Sequence, residues 1–163
     1  MKRLLIVWHS RTGAARAMAD AAARGAGAEA GVETRMLRAE DAGPDDLLAA
    51  DGYLFACPEN LAAMSGAMKE FFDRNYYPVL ERLNGRPYGM LIAAGSDGTN
   101  AVRQMARIAT GWRLKPIAEP IIVCTHAQAP DAILAAKIVP DEELARCEEL
   151  GAALAAGLAI GMF

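Results

Sequence analysis

The chain has 163 residues, with 17 Lys and Arg against 20 Asp and Glu and a formal net charge of −3. That balance excludes a nucleic-acid surface, which needs a clustered basic face, while a 53% hydrophobic content and this length suit one domain with a sizeable core. No small-residue cleavage site follows Met1-Lys2-Arg3, so no signal peptide is expected, and Cys57, Cys124 and Cys147 read as reduced structural thiols of a cytoplasmic protein rather than a disulfide framework or a zinc site.

Lys2 to Trp8 is apolar on both faces, as a central parallel strand should be. The turn that follows carries the hydroxyls of Ser10 and Thr12 beside Gly13 and opens a helix with Ala15, Met18, Ala19, Ala22 and Ala26 on one stripe, punctuated by Gly25, Gly27 and Gly31. Backbone N–H groups, hydroxyls and the positive end of a helix dipole converge in such a turn, which makes it a phosphate cradle. Val32 to Leu37 alternates apolar with polar and reads as a strand near a sheet edge. An acidic, Pro-containing stretch from Glu40 to Asp46 leads to Gly52–Cys57, a short buried strand stopped by Pro58.

Ser65 is placed to cap a helix whose stripe of Met68, Phe71, Phe72, Tyr76, Val79 and Leu80 faces the core. Tyr88 to Ala94 is the next strand, ended by Gly95-Ser96-Asp97-Gly98. A helix follows, with Ala101, Val102, Met105, Ile108, Ala109 and Trp112 at helical spacing and Asp97 or Thr99 as its cap. Ile117 to Cys124, interrupted by Pro120, is the last strand and belongs near an edge. After a less regular stretch from Thr125 to Val139, a final helix from about Asp141 to Leu158 turns Leu144, Cys147, Leu150, Leu154 and Leu158 inward. Its tail, Leu150 to Phe163, is apolar all round and too short for the roughly 20 residues of a membrane span. Such a tail asks for cover, so it is expected, with Tyr76, Tyr77 and Trp112, to form an interface in a homodimer or homotetramer. His9 and His126 lack metal-ligand spacing and read as surface or internally satisfied side chains.

Strands alternating with helices make one doubly wound α/β domain over residues 1–163 the economical expectation. In such a sheet a ligand sits beyond the carboxyl ends of the strands. The loops after the first, third and fourth strands are therefore expected to meet at one ligand.

These loops carry a family resemblance. Ser10-Arg11-Thr12-Gly13-Ala14-Ala15 resembles the flavodoxin phosphate loop, Ser/Thr-x-Thr-Gly-x-Thr. Pro58-Glu59-Asn60-Leu61-Ala62-Ala63-Met64-Ser65-Gly66-Ala67-Met68-Lys69 is similar to a loop of the flavodoxin-like NAD(P)H:quinone oxidoreductases and FMN reductases, and its Met-Ser-Gly-x-Met-Lys half is the most specific match. The resemblance implies a flavodoxin-like doubly wound domain, a five-stranded parallel sheet in the order 2-1-3-4-5 with helices on both faces, and an FMN site. Carried over by position, Ser10, Arg11, Thr12, Gly13, Ala14 and Ala15 would bind the FMN phosphate. Pro58, Glu59, Asn60, Leu61 and Ala62 would border the ribityl chain and ring, and Gly95, Ser96, Asp97 and Gly98 would approach the other ring edge. Ala15 stands where the pattern has a third hydroxyl, and Leu61 where the relatives have an aromatic residue.

The activity implied is hydride transfer from NAD(P)H as co-substrate, through the flavin, to a quinone or another small-molecule acceptor, with no obligatory general acid or base among the side chains. Two alternatives stand beside it: a flavodoxin-type electron carrier, and a non-catalytic module that holds FMN weakly.

Overall fold

The computed structural model describes residues 1–163. The elements in chain order are β1 (Lys2–Trp8), α1 (Ala14–Ala26), β2 (Val32–Arg38), α2 (Pro44–Ala49), β3 (Gly52–Asn60), β4 (Ala63–Met64), α3 (Gly66–Asn75), β5 (Pro87–Ala94), α4 (Thr99–Gly111), β6 (Lys115–Pro116), β7 (Ile121–Cys124), α5 (Pro130–Leu134) and α6 (Asp141–Ala159). The sheet runs β2-β1-β3-β5, with β6 and β7 both lying parallel along the outer edge of β5. Its register sets Ile6 between Met36 and Leu54, Leu54 beside Gly89, and Leu91 beside Ile121. This is the expected strand order with the fifth strand broken in two, because Pro116 and Pro120 cannot donate to the ladder.

Two other expectations are corrected. β3 does not stop at Pro58 but continues to Asn60 and folds back on β4 as an antiparallel hairpin, pairing Glu59 with Met64 and Asn60 with Ala63. Pro58 is tolerated because it falls beyond the last β1 partner, Trp8 opposite Ala56. The acidic stretch before β3 also holds a short helix, α2. Asp46 accepts the Gly43 N–H at its start, and Arg86 donates to the carbonyls of Leu47, Leu48 and Ala50 at its end. Tyr53 completes that clamp by donating to the Leu47 carbonyl, and its burial pushes the phenol pKa up to about 12.

Period-two alternation along β3 divides the interior into two layers. Tyr53, Phe55 and Cys57 face one layer with Phe71, Phe72, Tyr88, Met105 and Trp112. Leu54 and Ala56 face the other, with Ala14, Ala15, Ala19, Ala22 and Ala26 of α1 and Leu150, Leu154 and Leu158 of α6. Each large apolar side chain so buried contributes roughly 1.5–3 kcal/mol. The α1–α6 contact depends on glycine. A Cβ at Gly25 would lie 1.9 Å from the Glu148 carbonyl oxygen, and one at Gly151 would lie 1.9 Å from that of Ala22.

Part of the expected interface is taken up by the chain's own core, while Tyr77 stays exposed. Trp112 is fully buried, with its indole N–H donating to the Tyr76 carbonyl, and Leu150, Leu154 and Leu158 pack on α1. Phe163 folds back over Gly157, which leaves Ile160 and Met162 as the exposed large apolar residues of the tail. No helix is long and apolar enough to cross a membrane.

Candidate active site

β1 ends in the Ser10–Gly13 turn because the Ser10 hydroxyl oxygen accepts the Gly13 N–H at 3.1 Å, and Gly13 supplies the left-handed backbone (φ 99°) that starts α1. The hydroxyl proton of Ser10 therefore remains free to donate outward. The first α1 amide to find an intrahelical acceptor is that of Ala17, bonded to the Gly13 carbonyl. The N–H groups of Thr12, Ala14, Ala15 and Arg16 donate to nothing within the chain. A helix N-terminus with unspent donors and a free hydroxyl has the chemistry to hold a phosphate.

This loop forms one wall of an open cleft of about 450 Å³, lined by Ser10, Arg11, Thr12, Ala14 and Ala15 from the first loop and by Pro58, Glu59, Asn60 and Gly95 from the other two. The three loops thus meet as expected. The remaining residues of the expected set lie elsewhere. Gly13 forms the back of the cradle rather than its lining. Leu61 and Ala62 are at the tip of the β3–β4 hairpin, both with positive φ (51° and 61°), and the Leu61 side chain is wholly exposed. Ser96 and Asp97 are exposed beyond the cleft, where Asp97 accepts the backbone and hydroxyl hydrogens of Thr99. Gly98 has a packing reason to be glycine: φ is 91°, and a Cβ there would meet Ile122 at 2.7 Å.

Glu59 has a role that local sequence does not display. Its carboxylate accepts the Gly98 N–H at 2.9 Å and the Ala101 N–H at 3.1 Å, so a residue from the second loop caps α4 and fixes the third loop against it. The N-cap position itself is Gly98 rather than the expected Asp97 or Thr99, with Asp97 accepting the Thr99 N–H from just before it and Thr99 already inside the helix. Ser65 occupies the N-cap position of α3 but makes no side-chain cap bond. Its hydroxyl instead pairs with His9 Nδ1 at 2.8 Å, joining the first loop to the second and satisfying that histidine internally. Burial lowers the His9 pKa from its ordinary value, with Glu40 opposing and Arg11 and Arg38 adding to the depression.

Four lining residues, Thr125, Ala127, Ile133 and Lys137, come from the irregular stretch that contains α5. This strap is tied to the third loop by the Thr125 and His126 N–H groups, which donate to the Ala94 and Gly95 carbonyls. It is tied to the first loop by the Lys137 N–H on the Thr12 carbonyl at 2.8 Å. The signal available in sequence was its position after the last strand, hence at the carboxyl edge. The cysteines take no part: burial pushes the Cys57 thiol up to about 12 and the Cys147 thiol up to about 11. No cluster of His, Cys, Asp and Glu is arranged to hold a metal ion.

Residues 1–129 match the family described as NADPH-dependent FMN reductase. The chain belongs to that family. Its family and fold place it among the FMN-binding flavoproteins of the flavodoxin-like group. A flavodoxin from Aquifex aeolicus is 37% identical over 73 residues, 45% of this chain and 40% of that protein. An NAD(P)H dehydrogenase (quinone) from Acidithiobacillus ferrooxidans is 32% identical over 94 residues, 45% of this chain and 47% of that protein. The chain therefore covers less than half the length of either curated relative. Flavodoxin 1 from Bacillus cereus superimposes with a TM-score of 0.78 at 16% identity, covering 96% of this chain and 99% of that one, a likeness of fold.

Proposed function

We propose that this reductase family member is an NAD(P)H-dependent oxidoreductase that holds FMN in the three-loop cleft and reduces a quinone or a similarly small acceptor. The observation that supports it best is the row of unspent amides at Thr12, Ala14 and Ala15 beside the free Ser10 hydroxyl proton, a donor set matched to a phosphate monoester. Arg11 adds a cation at the same wall. When bound, FMN supplies the hydride-accepting, electron-donating ring.

The chain's own residues orient and tune. Pro58 and Asn60 form a wall for the flavin, and the N–H group of Gly95, which has no acceptor within the chain, would donate to a polar atom at the ring edge. Glu59 is not the acid or base of this reaction, since both carboxylate oxygens already accept backbone N–H groups. Its work is to hold the third loop at a fixed distance from the second. Ile133 and the strap border the side of the cleft next to the phosphate loop.

The flavodoxin relative supports a second reading, an electron carrier that exchanges electrons with proteins. An anaerobic titration separates the two. Bleaching of the FMN-loaded protein by NADPH or NADH, reversed by added quinone with saturable turnover, is the expected result. A spectrum bleached only by a strong chemical reductant supports the carrier, and failure to take up flavin contradicts both.

A further inference from the structure

The phosphate loop separates two concavities. One is the cleft already described; the other is an open basin of about 610 Å³ on the β2 side of the loop, lined by Trp8, His9, Arg11, Arg16, Arg38 and Glu40. Ser10 and Arg11 line both, so the loop is a shared wall. Three guanidinium groups face one carboxylate here, in a chain whose overall charge is −3.

Two of these three arginines have no carboxylate partner, a state they share with Arg82, Arg86, Arg103, Arg107 and Arg113 elsewhere on the chain. Arg3, Arg24, Arg35, Arg74 and Arg146 each meet a carboxylate. Arg11 and Arg38 meet none, and Arg16 divides itself between Asp20 at 3.7 Å and the face of Trp8, 5.3 Å from the ring centroid. Trp8 and Arg38 are register partners at the carboxyl ends of β1 and β2, which fixes an aromatic ring and a cation side by side. Unpaired guanidinium groups suit phosphate by charge and donor geometry, and a half-buried indole beside them suits a stacked base.

We propose that this basin binds the phosphate of an adenylate, with Arg11 and Arg38 as its ligands and Trp8 as the surface for the base. The proposal rests on the reading of the first cleft as a flavin site, because the shared wall places a second phosphate next to the first. Two sources carry this chemistry. One is the adenylate of FAD, joined to the flavin phosphate and taking the place of FMN; the other is the 2′-phosphorylated adenylate of NADPH.

The test titrates FMN and FAD into flavin-free protein and 2′,5′-ADP into both flavin-free and FMN-loaded protein, each in the wild type and in Arg38→Gln. Arg38 is exposed and its side chain makes no hydrogen bond within the chain, so the variant keeps the fold, which circular dichroism checks. FAD binding about tenfold tighter than FMN, with the difference erased by the variant, assigns the basin to the cofactor's adenylate. Binding of 2′,5′-ADP to the FMN-loaded protein, weakened about tenfold by the variant and accompanied by a rise in the titration midpoint of His9 measured by NMR, assigns it to the co-substrate. Arg38→Lys should recover part of either effect. Equal affinities for FMN and FAD, together with 2′,5′-ADP binding that the variant leaves unchanged, overturn the proposal. A protein that takes up no flavin defeats the functional reading alone, because 2′,5′-ADP binding to the flavin-free protein still tests the basin.

Discussion

The two layers on either side of the sheet are built from different residues and do different work for the site. The α1–α6 layer is made of alanine and leucine around a glycine-mediated crossing, so α1 lies close to both the sheet and its neighbouring helix. That closeness holds the N-terminal amides of α1 at a fixed place, and the cradle is formed chiefly by backbone N–H groups, with the Ser10 hydroxyl beside them. The α3–α4 layer is filled by Phe55, Phe71, Phe72, Tyr88 and Trp112, rings spaced 5.1 to 6.4 Å apart wherever they pair. Here the loops at the cleft are held by side chains, chiefly Glu59 and Ser65. One layer gives a rigid anion site, while the other gives a wall whose geometry depends on individual polar contacts.

The largest expected effect breaks the first layer. Gly151→Leu puts side-chain atoms where the Ala22 carbonyl stands, and separating the helices should cost about 4 kcal/mol or more, read as a lower midpoint in urea. In the second layer, Phe72→Ala should cost about 3–4 kcal/mol by leaving a cavity among the rings, while the α1 cradle keeps its flavin affinity in the protein that remains folded. If Phe72→Ala weakened phosphate-dependent binding as much as stability, the division of labour would be wrong.

Glu59→Gln sharpens the comparison. It removes the charge from the cap on α4 and should cost about 1–2 kcal/mol, with faster amide exchange at Gly98 and Ala101 and unchanged exchange in α1. Ala62→Gly should do the opposite and stabilise by about 0.5–1 kcal/mol, because Leu61 and Ala62 both hold positive φ at a hairpin tip where glycine is preferred. An acid titration gives the smallest effect. With the His9 pKa lowered in the folded state, the stability that its neutral form contributes is present above pH 6.5 and is lost as pH falls through the folded value. His9→Gln should flatten that part of the stability curve.

Periodicity and punctuation made the alternation of strands and helices and the three converging loops legible in sequence, while the sheet order came from the family resemblance. The alanine stripe of α1 and the Met68, Phe71 and Phe72 stripe of α3 fall on the faces that their spacing implies, but α3 ends at Asn75, so Val79 and Leu80 reach the core from turns rather than from the expected longer helix. What stayed hidden depends on partners distant along the chain. Glu59 finds its donors at Gly98 and Ala101, and Ser65 finds His9 at the other end of the first strand's turn. Nothing local to Lys137 marks its backbone bond to Thr12. The apolar tail shows the same dependence: Leu150, Leu154 and Leu158 find cover on α1, far away in sequence, while Ile160 and Met162 stay exposed.

The central claim is that the α1 amides and the Ser10 hydroxyl hold the flavin by its phosphate. Comparing the dissociation constants of FMN and riboflavin, which differ only in that phosphate, tests it most directly. The account predicts that FMN binds about a hundredfold tighter or more, as the loss of charge-assisted hydrogen bonds worth about 1.5–3 kcal/mol each requires. Equal affinities for the two flavins would contradict it.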